Sequence, residues 1–137
     1  MSTPRFDLPT IDEDTAPWWD AAREGRLLLR SCNACGAVHH YPRPFCPECW
    51  SEDVTWIEAS GRATVYTHST VFVNDLPPFG EQVPYIAVVV DLEEGPRMMT
   101  RVVDCDPADV AVGMPLEVAF WEVTDEVTLP VFKPAAS

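Results

Sequence analysis

The chain has 137 residues, 47% of them hydrophobic, with 22 acidic residues against 9 basic ones and a formal net charge of −13. That length holds one ordinary domain or two very small ones, and the apolar share excludes a disordered polymer. The charge argues against nucleic acid, whose affinity rests on Lys and Arg neutralising phosphates, and no stretch reaches the roughly 20 apolar residues of a membrane helix.

Residues 1–14 are polar and acidic and read as an extended N-terminal arm. They lack an apolar run of signal-peptide length and carry acids where a signal would be basic, so the expected location is the cytoplasm. A short helix follows in "DTAPWWDAAREGR": Asp14 or Thr15 can cap it, Pro17 is tolerated in its first turn, and Gly25 suits its end. Trp18, Ala21 and Ala22 fall on one face of about three turns. Trp19 lies off that face. Two adjacent tryptophans on so short a helix either fold back onto the rest of the chain or leave one to dock a partner, since Trp is enriched at interface hot spots.

"RLLLRSC" leads as a strand into the segment "CNACGAVHHYPRPFCPEC", and "VTWIEASG" is a second strand after it. From Gly61 the period changes to two. "RATVYTHSTVFV", "PYIAVVVDL", "RMMTRVV", "PLEVAFWEV" and "TLPVF" are five strand-like runs separated by turns, with "DPADV" as one helical turn. Five short strands without a long helix between them predict a small antiparallel barrel or sandwich. The division is therefore helix and cysteine knuckles over 15–58, then a β domain with a C-terminal tail over 59–137.

Cys32, Cys35, Cys46 and Cys49 form two C-x-x-C pairs separated by ten residues. Each pair brings two sulfurs to one side of a tight knuckle, and two facing knuckles supply a tetrahedral structural zinc site; iron in the same thiolates is the alternative. Gly36 follows the first pair where positive φ is wanted, whereas Trp50 holds the corresponding position after the second. A redox role would need one pair at a helix start in a βαβ setting, which is absent. Four sulfurs fill the metal's shell, so His39 and His40 are not needed as ligands and the ion is expected to fold the protein, not to do chemistry.

The fifth thiol, Cys105, lies between Asp104 and Asp106, which disfavour its thiolate. His68 could approach it across the barrel, so an independent thiol enzyme is one competing reading; a nucleic-acid-binding zinc-ribbon protein is another. On "PLEVAFWEV", Leu116, Val118 and Phe120 alternate inward, which turns Trp121 outward, toward the terminal segment, a partner or an adenine ring. The loop "NDLPPFGEQVPY", rich in proline and carrying Phe79 and Tyr85, suits an elongated ligand or a partner's groove.

Taken together, "PWWDAAREGRLLLRSC", the knuckles, "SGRATVYTHSTV", "PYIAVVVDLEEGPRM", "VGMPLEVAF" and "LPVFKP" resemble the Zn-OB-fold family from about Pro17 to Pro134. The resemblance implies a mainly β protein: an N-terminal helix and rubredoxin-like zinc ribbon, then a five-stranded OB-fold barrel. It implies a non-catalytic accessory subunit that binds a thiolase-fold partner, such as a thiolase, an acyltransferase or a lipid-transfer-protein-like aldolase of steroid side-chain degradation. A MaoC-type enoyl-CoA hydratase is a further implied partner, and CoA or acyl-CoA an implied ligand. The four cysteines carry over as metal ligands and no catalytic residue does. Trp18, Trp19, Phe79, Tyr85 and Trp121 are the residues expected to meet partner or CoA.

Overall fold

The computed structural model describes residues 9–41, 43–75 and 79–135. The first eight residues of the expected arm, and Leu76 to Pro78 of the proline-rich loop, lie outside the described residues.

Helix α1 spans Ala16–Arg23, eight residues and just over two turns, shorter than the three expected. Neither Asp14 nor Thr15 caps it with its side chain. Thr15 holds the N-cap position as expected, but the side-chain bonds run back from it: the Thr15 N–H donates to the Asp12 carboxylate at 3.0 Å, and the Asp12 N–H donates to the Thr15 hydroxyl at 3.1 Å. This reciprocal pair satisfies two amides that the helix start would leave without partners. Gly25, at φ 80°, ends the helix, with its own N–H on Ala22 O at 3.0 Å and that of Arg26 on Ala21 O at 2.9 Å. Trp18, Ala21 and Ala22 are buried, as the spacing predicts.

Strands β1 (Leu28–Cys32), β2 (Val38–His39) and β3 (Val54–Glu58) form an antiparallel ribbon in the order β2-β1-β3. The two-residue β2 has no strand signal in the sequence, because its pairing is set by the knuckle that reverses the chain. The barrel contains β4 (Arg62–Val71), β5 (Tyr85–Leu92), β6 (Arg97–Val102), β7 (Pro115–Glu122) and β8 (Thr128–Pro134) in the closed order β4-β5-β6-β8-β7. This is the five-stranded OB barrel expected. The "DPADV" turn is a 3-10 turn at Pro107–Asp109, capped by the Asp106 carboxylate on the Ala108 N–H.

Period-two burial is clean on β5, where Ile86, Val88, Val90 and Leu92 point inward. β4 follows it only to Val65. A register shift between Val65 and Thr67, together with a β7 pairing confined to Arg62–Thr64, leaves Tyr66, Thr67, His68 and Ser69 exposed. The barrel's weakest seam lies between β6 and β8, which run parallel and meet at one pair, Val102 with Phe132.

The core is shared. Trp18 and Ala21 of the helix, Leu27, Leu28 and Leu29 of the ribbon, and the inward barrel residues form one hydrophobic cluster in which Leu29, Val90 and Phe132 are fully buried. Ribbon and barrel therefore support one another through apolar burial, not only through the linker at Ala59–Gly61.

Gly61 illustrates how closely they meet. Its φ is 85°, its carbonyl accepts the Val118 N–H at 2.8 Å, and a Cβ there would lie 2.6 Å from Val118 Cγ1. Val118 is β-branched and has few rotamers to retreat into. Gly61→Ala is expected to cost about 2–4 kcal/mol, summing left-handed backbone strain and overpacking. Urea unfolding checks this, and a loss below about 0.5 kcal/mol would contradict it.

Candidate metal centre and an aromatic groove

The four sulfurs of Cys32, Cys35, Cys46 and Cys49 all lie within 4.8 Å of one another. Cys32 and Cys49 are 3.6 Å apart, as are Cys35 and Cys46, too far for disulfides and close to the roughly 3.8 Å edge that a tetrahedron with Zn–S of about 2.3 Å requires. The two knuckles share one geometry. The Gly36 N–H donates to Cys32 O at 2.9 Å, and the Trp50 N–H donates to Cys46 O at 2.8 Å. Gly36 has φ 79° and Trp50 φ 66°, so the tryptophan adopts a conformation that glycine takes without strain.

Proton affinities in the cage show why it suits a dication. The backbone N–H of Cys35 chiefly lowers the Cys32 thiol to about 7. At Cys35 the Ala37 N–H favours the thiolate, yet the sulfurs of Cys46 and Cys49 outweigh it and push the thiol up to about 12. Neighbouring sulfurs cannot all ionise unless a positive ion neutralises them. The cage fits zinc; a tetrahedral thiolate shell is closed, so the ion supplies folding energy.

His39 and His40 lie outside the cage. His39 Nδ1 is 2.9 Å from Tyr41 O. His40 is buried against Trp18, with ring centroids 5.9 Å apart. Burial chiefly, with His39 adding a smaller effect, lowers its pKa to about 4. Because this lies below the unfolded value of about 6.5, the unfolded chain takes up the proton first. The associated stability is complete above pH 6.5 and is lost as pH falls toward 4. The loss reaches about 3 kcal/mol at most. Unfolding of the parent and of His40→Gln between pH 7 and 4.5 checks this: the difference between them should narrow with acidification, and a constant difference would refute it.

The second feature is a groove of about 450 Å³ lined by Trp18 of α1 and His40 of the ribbon on one side and by residues of β5, β6, β7 and β8, down to the buried Met98 and Val131, on the other. Trp18, Tyr85 and Trp121, three of the five residues singled out for binding, line it together. Trp121 points outward as the alternation predicts, and it pairs across β7 and β8 with Leu129, so the terminal segment is its neighbour as well as the groove. Trp18 serves as core as much as wall: it is 7% exposed, which leaves no free face for docking. Trp19 stands edge-on to Trp18 at 4.6 Å, half-buried against the core. Phe79 sits in a 3-10 turn over Phe79–Glu81, and its side chain lies outside what is described. Asn74 donates to the Tyr85 hydroxyl at 3.1 Å, tying the long loop to the barrel.

Arg101 is the residue the sequence did not single out. Its guanidinium lies 4.2 Å over the Tyr85 ring and 5.2 Å over Trp121, and its Nη1 donates to Gln82 Oε1 at 2.9 Å. Arg97, also on β6, faces Asp91 in the register and pairs with it, but Arg101 faces Ala87. That contrast needs the β5–β6 register, which periodicity alone does not supply. Trp50, which the spacing marks as a departure from glycine, is 73% exposed and stacks on Phe45 at 5.3 Å.

Cys105 and His68 are not brought together. The Cys105 thiol donates to Asp106 O at 3.4 Å, while His68 is exposed on β4, and among the described residues no hydrogen bond joins them. Burial, then Asp109 and Asp106, raises the Cys105 pKa, the wrong direction for a nucleophile.

Helix, four-cysteine ribbon and closed barrel define a zinc-ribbon OB-fold protein. Residues 19–55 match the ChsH2 rubredoxin-like zinc ribbon domain and residues 56–121 the ChsH2 C-terminal OB-fold domain. The chain belongs to this ChsH2-type, DUF35 family. It is 38% identical over 110 residues to a DUF35 domain-containing scaffold protein of Methanocaldococcus jannaschii, covering 79% of this chain and 77% of that one. It is 39% identical over 127 residues to a probable enoyl-CoA hydratase alpha subunit of Thermomonospora curvata, covering 93% of this chain but 39% of that protein. The chain thus spans about two fifths of that relative's length. A solved structure described as the Ltp2-ChsH2(DUF35) aldolase holds a chain with which it superposes at TM-score 0.83 and 38% identity, covering 94% of this chain and all of that one. No helix among the described residues is long and apolar enough to cross a membrane.

Proposed function

We propose that this chain is a non-catalytic accessory subunit that docks on a thiolase-fold or aldolase partner and helps bind or present an acyl-CoA substrate. The observation that carries this reading is the likeness, at TM-score 0.83 over the whole of that chain, to the DUF35 component of an Ltp2-ChsH2 aldolase. The residues suit the role. The cage stiffens the ribbon so that it presents a fixed surface, at little ordering cost on association. Trp50 stands at the tip of the second knuckle, exposed and held in a strained conformation, a combination typical of sites kept for function.

The test is co-expression with a thiolase-like or aldolase protein from the same genome. The two should co-elute, carbon–carbon cleavage or acyl transfer should require both, and this chain alone should turn over nothing. Failure to associate with any acyl-CoA enzyme, or turnover by the chain alone, would overturn the reading. Hydration dependent on a MaoC-type subunit would point instead to the hydratase arrangement that the longer relative's name suggests.

Trp50→Gly separates docking from folding. Glycine relieves the positive φ, so the fold should hold or gain stability, while affinity for the partner should fall about 30-fold, as for a lost aromatic hot spot. Calorimetric titration of the partner reads the second effect; an unchanged affinity would remove Trp50 from the interface.

A further inference from the structure

We propose that the groove between the helix and the barrel is a binding site for an apolar molecule, chain or ring, that carries a single carboxylate or carbonyl oxygen, with Arg101 holding that oxygen. The groove belongs to this chain alone, so the inference goes beyond the scaffold reading and does not depend on it.

Four observations carry it. The volume, about 450 Å³, falls in the range of small-molecule sites, and the walls are aromatic and aliphatic: Trp18, Tyr85, Met98, Trp121 and Leu129. The β6–β8 seam has one ladder pair, Val102 with Phe132, and one bond from the Thr100 hydroxyl to Pro130 O at 3.0 Å; Met98 and Pro130 beside them line the groove, which runs along the barrel there. Among the described residues Arg101, Arg30 and Arg43 have no carboxylate partner, whereas Arg23, Arg26, Arg62, Arg97 and Lys133 each have one; of the three, Arg101 is the one that lines the groove. Two further groove residues are more than nine-tenths buried, and among the described residues neither the Trp18 indole N–H nor His40 Nδ1 has a hydrogen-bond partner. Buried polar atoms without partners are rare in folded proteins and are met by a ligand or water.

The same inventory argues against the phosphate-bearing part of CoA in this groove. Its lining contains one cation, and several phosphates would be poorly neutralised there. The oxygen could belong to a free acid or to the acyl end of a thioester, and both present the same chemistry to Arg101.

The experiment is calorimetric titration of the isolated, zinc-loaded chain with decanoate, decanol, decanoyl-CoA and CoA. Decanoate should bind, Arg101→Gln should weaken it about tenfold or more, and decanol should change less than about threefold, because only the charge-assisted contact is lost. Decanoyl-CoA binding with the same Arg101 dependence identifies a thioester as an admissible source; decanoate alone identifies the free acid. Ala87→Trp, on the groove wall, should abolish binding of both decanoate and decanol while thermal unfolding stays that of a folded barrel. The inference is overturned if decanoate does not bind, if Arg101→Gln or Ala87→Trp leaves its affinity unchanged in folded protein, or if CoA binds as tightly as decanoyl-CoA.

Discussion

Replacing Cys46 with serine is expected to abolish stable metal binding and, with it, the folded ribbon. Cys46 is fully buried, its sulfur lies 3.6 Å from that of Cys35, and its backbone is bonded at both ends, N–H to Ser51 O and carbonyl to the Trp50 N–H. A serine hydroxyl is a poor ligand in a thiolate cage and a polar group without a partner in a buried one. Structural zinc contributes about 10–16 kcal/mol in comparable small sites, whereas a whole domain is stable by only about 5–15 kcal/mol. Loss of the ion therefore exceeds what the three short strands can sustain.

The effect should not stop at the ribbon. Leu27, Leu28 and Leu29 pack in the same cluster as Val65, Val88 and Phe132, so a disordered ribbon uncovers one side of the barrel. Metal content by mass spectrometry should fall from about one equivalent to near none. Amide exchange should accelerate first in Leu28–Cys32 and Val54–Glu58 and then along β8. Cys105→Ser, outside the cage, is the control and should keep its metal. A metal-free Cys46→Ser protein with undiminished stability would refute the assignment of the cage as the chain's staple.

Phe132→Ala is expected to produce the second-largest loss, about 3–5 kcal/mol. Phe132 is fully buried on β8, opposite Val118 on β7, and with Val102 it makes the one ladder pair between β8 and β6, beside the Thr100 hydroxyl bond to Pro130 O. Its carbonyl also accepts the Val103 N–H at 2.7 Å, extending the same contact. Truncating the ring opens a cavity at the barrel's weakest seam, where few backbone bonds resist separation. Phe72→Ala is the matched comparison: the same chemistry at a site 70% exposed should change stability by less than about 0.5 kcal/mol. Urea unfolding of the two variants decides the matter, and similar losses would show that the barrel does not close through Phe132.

The elements that were legible in advance depend on neighbours in sequence. A C-x-x-C turn forms its knuckle within four residues, so two such pairs announce a tetrahedral cage before any fold is known. Period-two alternation gave the inward face of β5, and on β7 it placed Leu116, Val118 and Phe120 against the core while Trp121 lines the groove, because a strand's pleat is a local property. The helix end at Gly25 and its start after Thr15 were equally local, whereas the reciprocal bonds between Asp12 and Thr15 that precede the helix were not revealed by propensity.

What only the tertiary structure decided was which separate segments meet. The spacing of "RMMTRVV" cannot tell that Arg97 faces Asp91 while Arg101 faces Ala87, since that follows from the register of β5 against β6. Nor can it tell that Trp18, from the helix, and His40, beyond the first knuckle, come to line one groove with Tyr85 and Trp121. Local chemistry set the metal cage and the strands. Strand register and the docking of ribbon on barrel, both products of long-range burial, created the groove and set beside it an arginine with no carboxylate partner among the described residues.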